Sequence, residues 1–231
     1  LWSQMHGDES TASMALADIF RFLAEGTDDP LRRRLAESLT IVFVPVLNPD
    51  GAELFQRENA AGVDINRDAR RLATPEARAL KAIRERVHPA FGFNLHDQGA
   101  RTRVGADGVQ SGIALLAPAY ADARSYNDVR SRARLVAAAL VQLLRPEIPG
   151  RIAKYDDTFN PRAFGDLMQQ WATSTVLIES GALPGDPDKQ RHRALNAAAI
   201  LGALDAIGTG SYRAADPRDY DRLLYNTGGA A

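Results

Sequence analysis

In this 231-residue chain, His6 and Glu9 stand three positions apart. That spacing sets both side chains on one side of a helical turn, where they can converge on a single point. Only four histidines are present, His6, His88, His96 and His192. His88 and His192 lie among charged residues and are expected to face solvent. His96 follows an apolar run and is the natural third member of a cluster. Two imidazoles and one carboxylate form a donor set that suits Zn²⁺, with a fourth position left for water. An H-x-x-E match alone is weak, because a surface His–Glu pair is its common meaning. Its weight depends on what surrounds it.

Such a site needs elements that bring residues 6, 9 and 96 together. Residues 40–47 (Thr-Ile-Val-Phe-Val-Pro-Val-Leu) form a β-branched apolar run bounded by polar punctuation, the pattern of a buried strand. Residues 91–95, 112–116 and 175–178 read alike. Helical patterns cover 11–24, 75–87, 119–144 and 187–207, and Thr74-Pro75-Glu76 supplies an N-cap, a first-turn proline and an acidic first turn. The alternation predicts an α/β fold, with a mixed, mainly parallel sheet sandwiched by helices. Each apolar run then ends in residues with chemistry. Residues 1–5 run into His6-Gly7-Asp8-Glu9, and 40–47 into Asn48-Pro49-Asp50-Gly51. Residues 91–95 run into His96-Asp97-Gln98, and 175–178 into Glu179-Ser180-Gly181. Ligands in open α/β sheets sit beyond the carboxyl ends of the strands. Loop polarity explains any one of these endings; two His and two Glu arriving together point to one shared site.

In order, His6-Gly7-Asp8-Glu9, Asn48-Pro49-Asp50-Gly51, Gly62-Val63-Asp64-Ile65-Asn66-Arg67, His96 and Glu179 resemble the signature of the M14-type zinc carboxypeptidases. The resemblance runs from residue 6 to about residue 183 and implies one Zn²⁺ per chain, held by His6, Glu9 and His96. It implies that Asp64 accepts a hydrogen bond from a ligand imidazole, fixing its tautomer. Asn66 and Arg67 match the pair that grips the substrate's terminal carboxylate, a task that suits the planar fork of Arg. Glu179 matches the general base of a promoted-water attack. Arg57 is the arginine between the second and third motifs and matches the residue that stabilises the developing oxyanion. Tyr155, twenty-four residues before Glu179, matches a tyrosine that closes over substrate, in preference to Tyr120 and Tyr126. Arg162 falls where family members set side-chain preference; pointing inward, it would favour an acidic terminal residue. The implied partner is a peptide with a free C-terminal carboxylate. Two rivals share these residues: a zinc amidohydrolase acting on N-acyl amino acids, and a binding module that keeps the fold without catalysis.

Composition sets the remaining bounds. The chain is 45% apolar and 25% charged, with 28 basic and 29 acidic residues, which argues against an electrostatic nucleic-acid binder. No apolar run approaches the ~20 residues of a membrane span. The absence of cysteine excludes thiolate ligands and a disulfide framework. Leu1-Trp2-Ser3-Gln4-Met5 reads as the inside of a strand, so the fold is expected to lack N-terminal strands. Residues 1–208 are expected to form the catalytic domain. Residues 209–231, with three tyrosines, are expected to form a C-terminal tail or the start of a following segment. The sequence carries no signal for an oligomeric state.

Overall fold

The structure is a computed structural model that describes residues 1–25 and 28–228. In chain order its elements are β1 (Trp2–Ser3), α1 (Thr11–Ala24), α2 (Pro30–Ser38), α3 (Pro49–Leu54), α4 (Pro75–Val87), β2 (Phe91–Asp97), β3 (Arg103–Val104) and β4 (Ile113–Leu116). They continue as α5 (Asp128–Leu144), β5 (Ile152–Lys154), α6 (Phe164–Gln170), β6 (Ser174–Ser180), α7 (Gln190–Thr209), α8 (Arg218–Asp221) and β7 (Asn226–Thr227). The central sheet has the order β1-β2-β6-β4-β5. Its pairs are parallel except β4 against β6. This is the mixed, mainly parallel sheet between helices that the alternation predicts. β3 and β7 form a separate antiparallel pair.

Strand alternation divides the two faces of the sheet. Phe93 and Leu95 of β2, Val176 and Ile178 of β6, and Ile113 and Leu115 of β4 point into one core with α1, α5 and α7. Trp2 and Met5 pack on the other side with Ile65, Leu80, Phe164 and Met168. The residues between the core-facing positions of β2 and β6 (Asn94 and His96, Leu177 and Glu179) are thereby turned toward a single cavity.

Local chemistry fixes the helix ends. α1 and α4 span the residues their patterns predict, and the Thr74 hydroxyl accepts the Ala77 N–H at 3.2 Å as the N-cap of α4. α5 starts at Asp128 rather than 119, because Asn127 caps it by accepting the Arg130 N–H at 2.8 Å. Residues 40–47 depart from the predicted strand. Their one strand-type pairing is a parallel bridge from Val44 to Trp2, and Pro45 brings no N–H to extend it. His192 also departs from expectation. It is fully buried, because α7 packs the face carrying His192, Asn196, Ala199, Ile200 and Ala203 inward while Arg191 and Arg193 flank it.

Beyond residue 208, Tyr212 and Tyr220 are buried in the α5–α7 core. The Tyr220 hydroxyl accepts the Ala117 N–H at 3.0 Å, and β7 pairs with β3. Residues 229–231 of the expected tail lie outside the described residues. Among the described residues, no helix is long and apolar enough to cross a membrane.

Candidate active site

The turn after β1 carries His6 and Glu9. It is one hydrogen-bonded turn rather than a helix, closed by the Glu9 N–H on the His6 carbonyl at 3.1 Å. The Asn-Pro-Asp-Gly motif is its buttress. Fully buried Asn48 caps α3 by accepting the Gly51 N–H at 2.9 Å and donates to the carbonyls of Met5 and Arg57, each at 3.3 Å. A Cβ on Gly7 would lie 1.9 Å from the carbonyl carbon of Gly51, so only glycine lets the two motifs meet there.

His96 and Glu179 end β2 and β6 as direct register partners, and β1 pairs with β2 alongside them. Three adjacent strand ends thus converge. Nδ1 of His6 lies 2.7 Å from one Glu9 oxygen, and Nδ1 of His96 lies 2.6 Å from the other. The His6 and His96 rings are 4.7 Å apart, both nearly buried. One donor atom from each of His6, Glu9 and His96 falls within 4.8 Å of the others, so the three could hold a metal ion. The set fits Zn²⁺: two imidazole nitrogens, one carboxylate, and a cavity on the open side.

The surroundings reinforce that fit. Nε2 of His6 faces Asp64 Oδ1 at 3.2 Å, leaving Nδ1 for the cluster. Burial disfavours the His6 cation, but the Asp64 and Glu9 contacts outweigh it and raise the pKa. Burial also opposes Glu9 ionisation, yet the neighbouring His96 and His6 hold its carboxyl well below the usual range. Asp64 is likewise held low, its burial outweighed by His6 and Arg57. Arg57 donates to Asp64 Oδ2 from Nε at 3.0 Å and Nη2 at 2.9 Å, and its Nη1 lies 3.1 Å from His6 Nδ1. The candidate oxyanion arginine therefore stands at the rim of the cluster.

A cavity of about 590 Å³ opens beside the cluster and is lined by every residue singled out in the sequence except Asp64. Asp64 N-caps the short 3₁₀ turn Ile65–Arg67 by accepting the Asn66 N–H at 2.8 Å. That turn presents both candidate carboxylate-binding residues. Asn66 Oδ1 accepts the Phe164 N–H at 2.9 Å, so the amide NH₂ is the end left to donate. Glu179 is only 7% exposed, and burial lifts its pKa to about 7, partly opposed by His96. The Tyr155 hydroxyl is pushed up to about 12, first by the Glu179 charge and then by burial, so it stays a proton donor. Arg162 lies at the exposed rim.

Among the lining residues that the sequence does not single out, Asn94 and Asp166 are buried and polar. Asn94 is legible in hindsight, two positions before His96 on the same strand face. Asp166, in the first turn of α6, carried no signal. It is buried, its carboxylate accepts the Asn160 N–H at 3.0 Å, and burial lifts its pKa to about 6.

The α/β fold is of the zinc carboxypeptidase-like kind. Residues 1–103 match the family described as zinc carboxypeptidase, a stretch that contains every candidate through His96, and the resemblance carried by the motifs is thus borne out. The chain is 30% identical over 99 residues to a probable carboxypeptidase 2 of Trichophyton verrucosum, covering 42% of this chain and 19% of that protein. It shares its fold with a metallo-carboxypeptidase of Burkholderia cenocepacia (TM-score 0.67, 20% identity, 91% of this chain and 56% of that one). It also shares it with a succinylglutamate desuccinylase/aspartoacylase of Rhodobacter sphaeroides (TM-score 0.56, 18% identity, 90% of this chain and 54% of that one). The chain thus spans little more than half the length of these structures, and its match covers about a fifth of the fungal relative.

Proposed function

We propose that this chain is the catalytic domain of a zinc-dependent carboxypeptidase, which hydrolyses the last peptide bond of substrates with a free C-terminal carboxylate. The supporting observation is convergence: the His6–Glu9–His96 cluster, Glu179 and the Asn66–Arg67 turn all face one cavity. His6, Glu9 and His96 would hold the ion, which when bound supplies Lewis acidity to the scissile carbonyl and to water.

The chain's own residues do the rest. Arg67 and the Asn66 amide take the terminal carboxylate and so admit only the last residue of a peptide. Glu179 accepts a proton from water as its oxygen bonds the carbonyl carbon. It passes that proton to the amine nitrogen as the C–N bond breaks. Arg57 faces the carbonyl oxygen with its remaining donor capacity, and Tyr155 donates from the loop after β5.

The carboxylate clamp is tested by Arg67→Ala. Losing a charge-assisted fork costs about 1.5–3 kcal/mol, so KM for blocked dipeptides is expected to rise about 10- to 100-fold with kcat less affected. The same peptides amidated at the C-terminus should be equally poor for both proteins; an equal loss on both substrate types contradicts the role.

Selectivity rests on the cavity wall. Arg162 at the rim supplies a cation that favours an acidic terminal residue. A panel of blocked dipeptides should then turn over best with C-terminal Glu. Lys ahead of Glu removes this role and transfers selection to the buried carboxyl of Asp166.

A second reading, hydrolysis of N-acyl amino acids, draws on the fold shared with the Rhodobacter sphaeroides protein. Faster turnover of an N-acyl amino acid than of a blocked dipeptide favours it. Stoichiometric metal with no hydrolysis of either favours a binding module.

A further inference from the structure

Arg130, on α5, is the largest fully buried side chain among the described residues. No motif contains it, and it does not line the cavity. Its guanidinium nevertheless grips two neighbouring segments of the cavity wall, which continue the paired strands β4 and β5. Nε donates to the Ala117 carbonyl at 3.0 Å, and the residues on either side, Leu116 and Pro118, line the cavity. Nη2 donates to Asp157 Oδ2 at 2.7 Å, and the flanking Asp156 and Thr158 also line it, with Tyr155 one residue further back. Nη1 donates to the carbonyls of Arg124 and Ser125, and the Tyr126 ring covers the guanidinium at 4.4 Å. The other Asp157 oxygen accepts from Arg124 Nη1 at 3.3 Å.

We propose that Arg130 is a positioning residue, which through Asp157 ties the loop carrying Tyr155 to the 116–118 wall and so sets the geometry of the substrate cavity. The physical case is one of cost. A buried guanidinium is expensive unless its donors are satisfied, and here they are satisfied by the backbone and side chain of two separate segments. Moving either segment would strip partners from a charge with no water to replace them. The loop on which Tyr155 sits is therefore held against the neighbouring 116–118 segment beyond the last ladder bond of the two strands, the Tyr155 N–H on the Leu115 carbonyl at 2.9 Å. A displacement of about 1 Å in such a positioning element can cost about 100-fold in reactivity. This inference rests on the carboxypeptidase reading for its kinetic consequence, though its structural consequence stands without it.

The test uses the whole chain as Asp157→Asn, which keeps size and polarity but removes the charge that Arg130 holds, and as Arg130→Lys, which keeps the charge but loses the fork. Two readouts are taken: steady-state kinetics on a blocked dipeptide, and hydrogen exchange at amides 155–160 compared with α5. For both variants, KM is expected to rise and kcat/KM to fall about tenfold or more, with metal content unchanged. Exchange at 155–160 should accelerate about tenfold or more while α5 stays protected. Unchanged KM and unchanged loop exchange overturn the proposal, and so does a lowered melting temperature with uniformly faster exchange, which marks Arg130 as a stabiliser of the fold alone. A parent protein that cleaves no peptide defeats the carboxypeptidase reading, while the loop exchange still decides the role of Arg130.

Discussion

Glu179→Gln is expected to lower kcat by roughly 10²- to 10⁴-fold, the usual contribution of a positioned general base, while leaving metal content and KM close to the parent values. The amide is isosteric with the carboxylate but cannot accept and return a proton. It occupies the same buried place at the end of β6, opposite His96. Stability should move the other way. In the metal-free chain the Glu179 carboxyl is raised to about 7 because burial disfavours its charge. Its folded pKa thus exceeds its unfolded value, so the stability it contributes is complete below the unfolded value. That stability is lost as pH rises from about 4.5 through about 7. Ionising Glu179 above pH 7 therefore costs on the order of 3 kcal/mol, which the neutral amide avoids. Metal-free Glu179→Gln should melt higher than the metal-free parent at pH 8 and at about the same temperature at pH 4. Turnover within threefold of the parent removes Glu179 from the proton relay, and a lower melting temperature at pH 8 removes the account of its burial.

Much of this site could be read from the chain because its parts sit where local rules are strong. His96 and Glu179 end apolar runs whose alternation is plain: Phe93 and Leu95, then Val176 and Ile178, mark one face, which commits Asn94, His96, Leu177 and Glu179 to the other. The motif around Asp64 is legible through the family resemblance, and its local shape comes from a positive-φ glycine at 62 and an aspartate at 64 that caps a short 3₁₀ turn. What failed depended on tertiary context. Residues 40–47 have the composition of a buried strand, but their register is set by a two-residue β1 and interrupted by Pro45. His192 was hidden by Arg191 and Arg193, although the spacing to Asn196, Ala199 and Ala203 carried the buried face of α7. α2, with its three consecutive arginines, offers one buried residue, Leu35, and no apolar stripe to recognise. Arg130 was invisible for a different reason: beside the nearby carbonyls of Arg124 and Ser125, its guanidinium partners lie 13 and 27 residues away, and no spacing announces them.

Removing the metal with a strong chelator is expected to abolish hydrolysis and to lower the melting temperature, with both restored by one equivalent of Zn²⁺ per chain. The reason lies in the three ligands. Glu9 is shared by His6 and His96, each imidazole facing a different carboxylate oxygen, and the backbone N–H of Asp97 also donates to Glu9 at 3.2 Å. A divalent ion held by His6, Glu9 and His96 would replace a network of shared protons and would tie β1, β2 and their turns together. Binding to the folded chain alone stabilises it by RT ln(1 + [L]/Kd), about 4 kcal/mol when the free ion is a thousandfold above Kd. Asp64→Asn separates this account from a general effect of charge. It keeps the cap on Asn66 but weakens the acceptor facing His6 Nε2, so metal affinity should fall about 10- to 100-fold. Arg67→Ala, on the same turn but facing the cavity, should leave metal affinity unchanged. Chelated protein that keeps its turnover, or a melting temperature indifferent to Zn²⁺, separates the cluster from catalysis; equal losses of affinity in Asp64→Asn and Arg67→Ala leave Asp64 no special place behind His6.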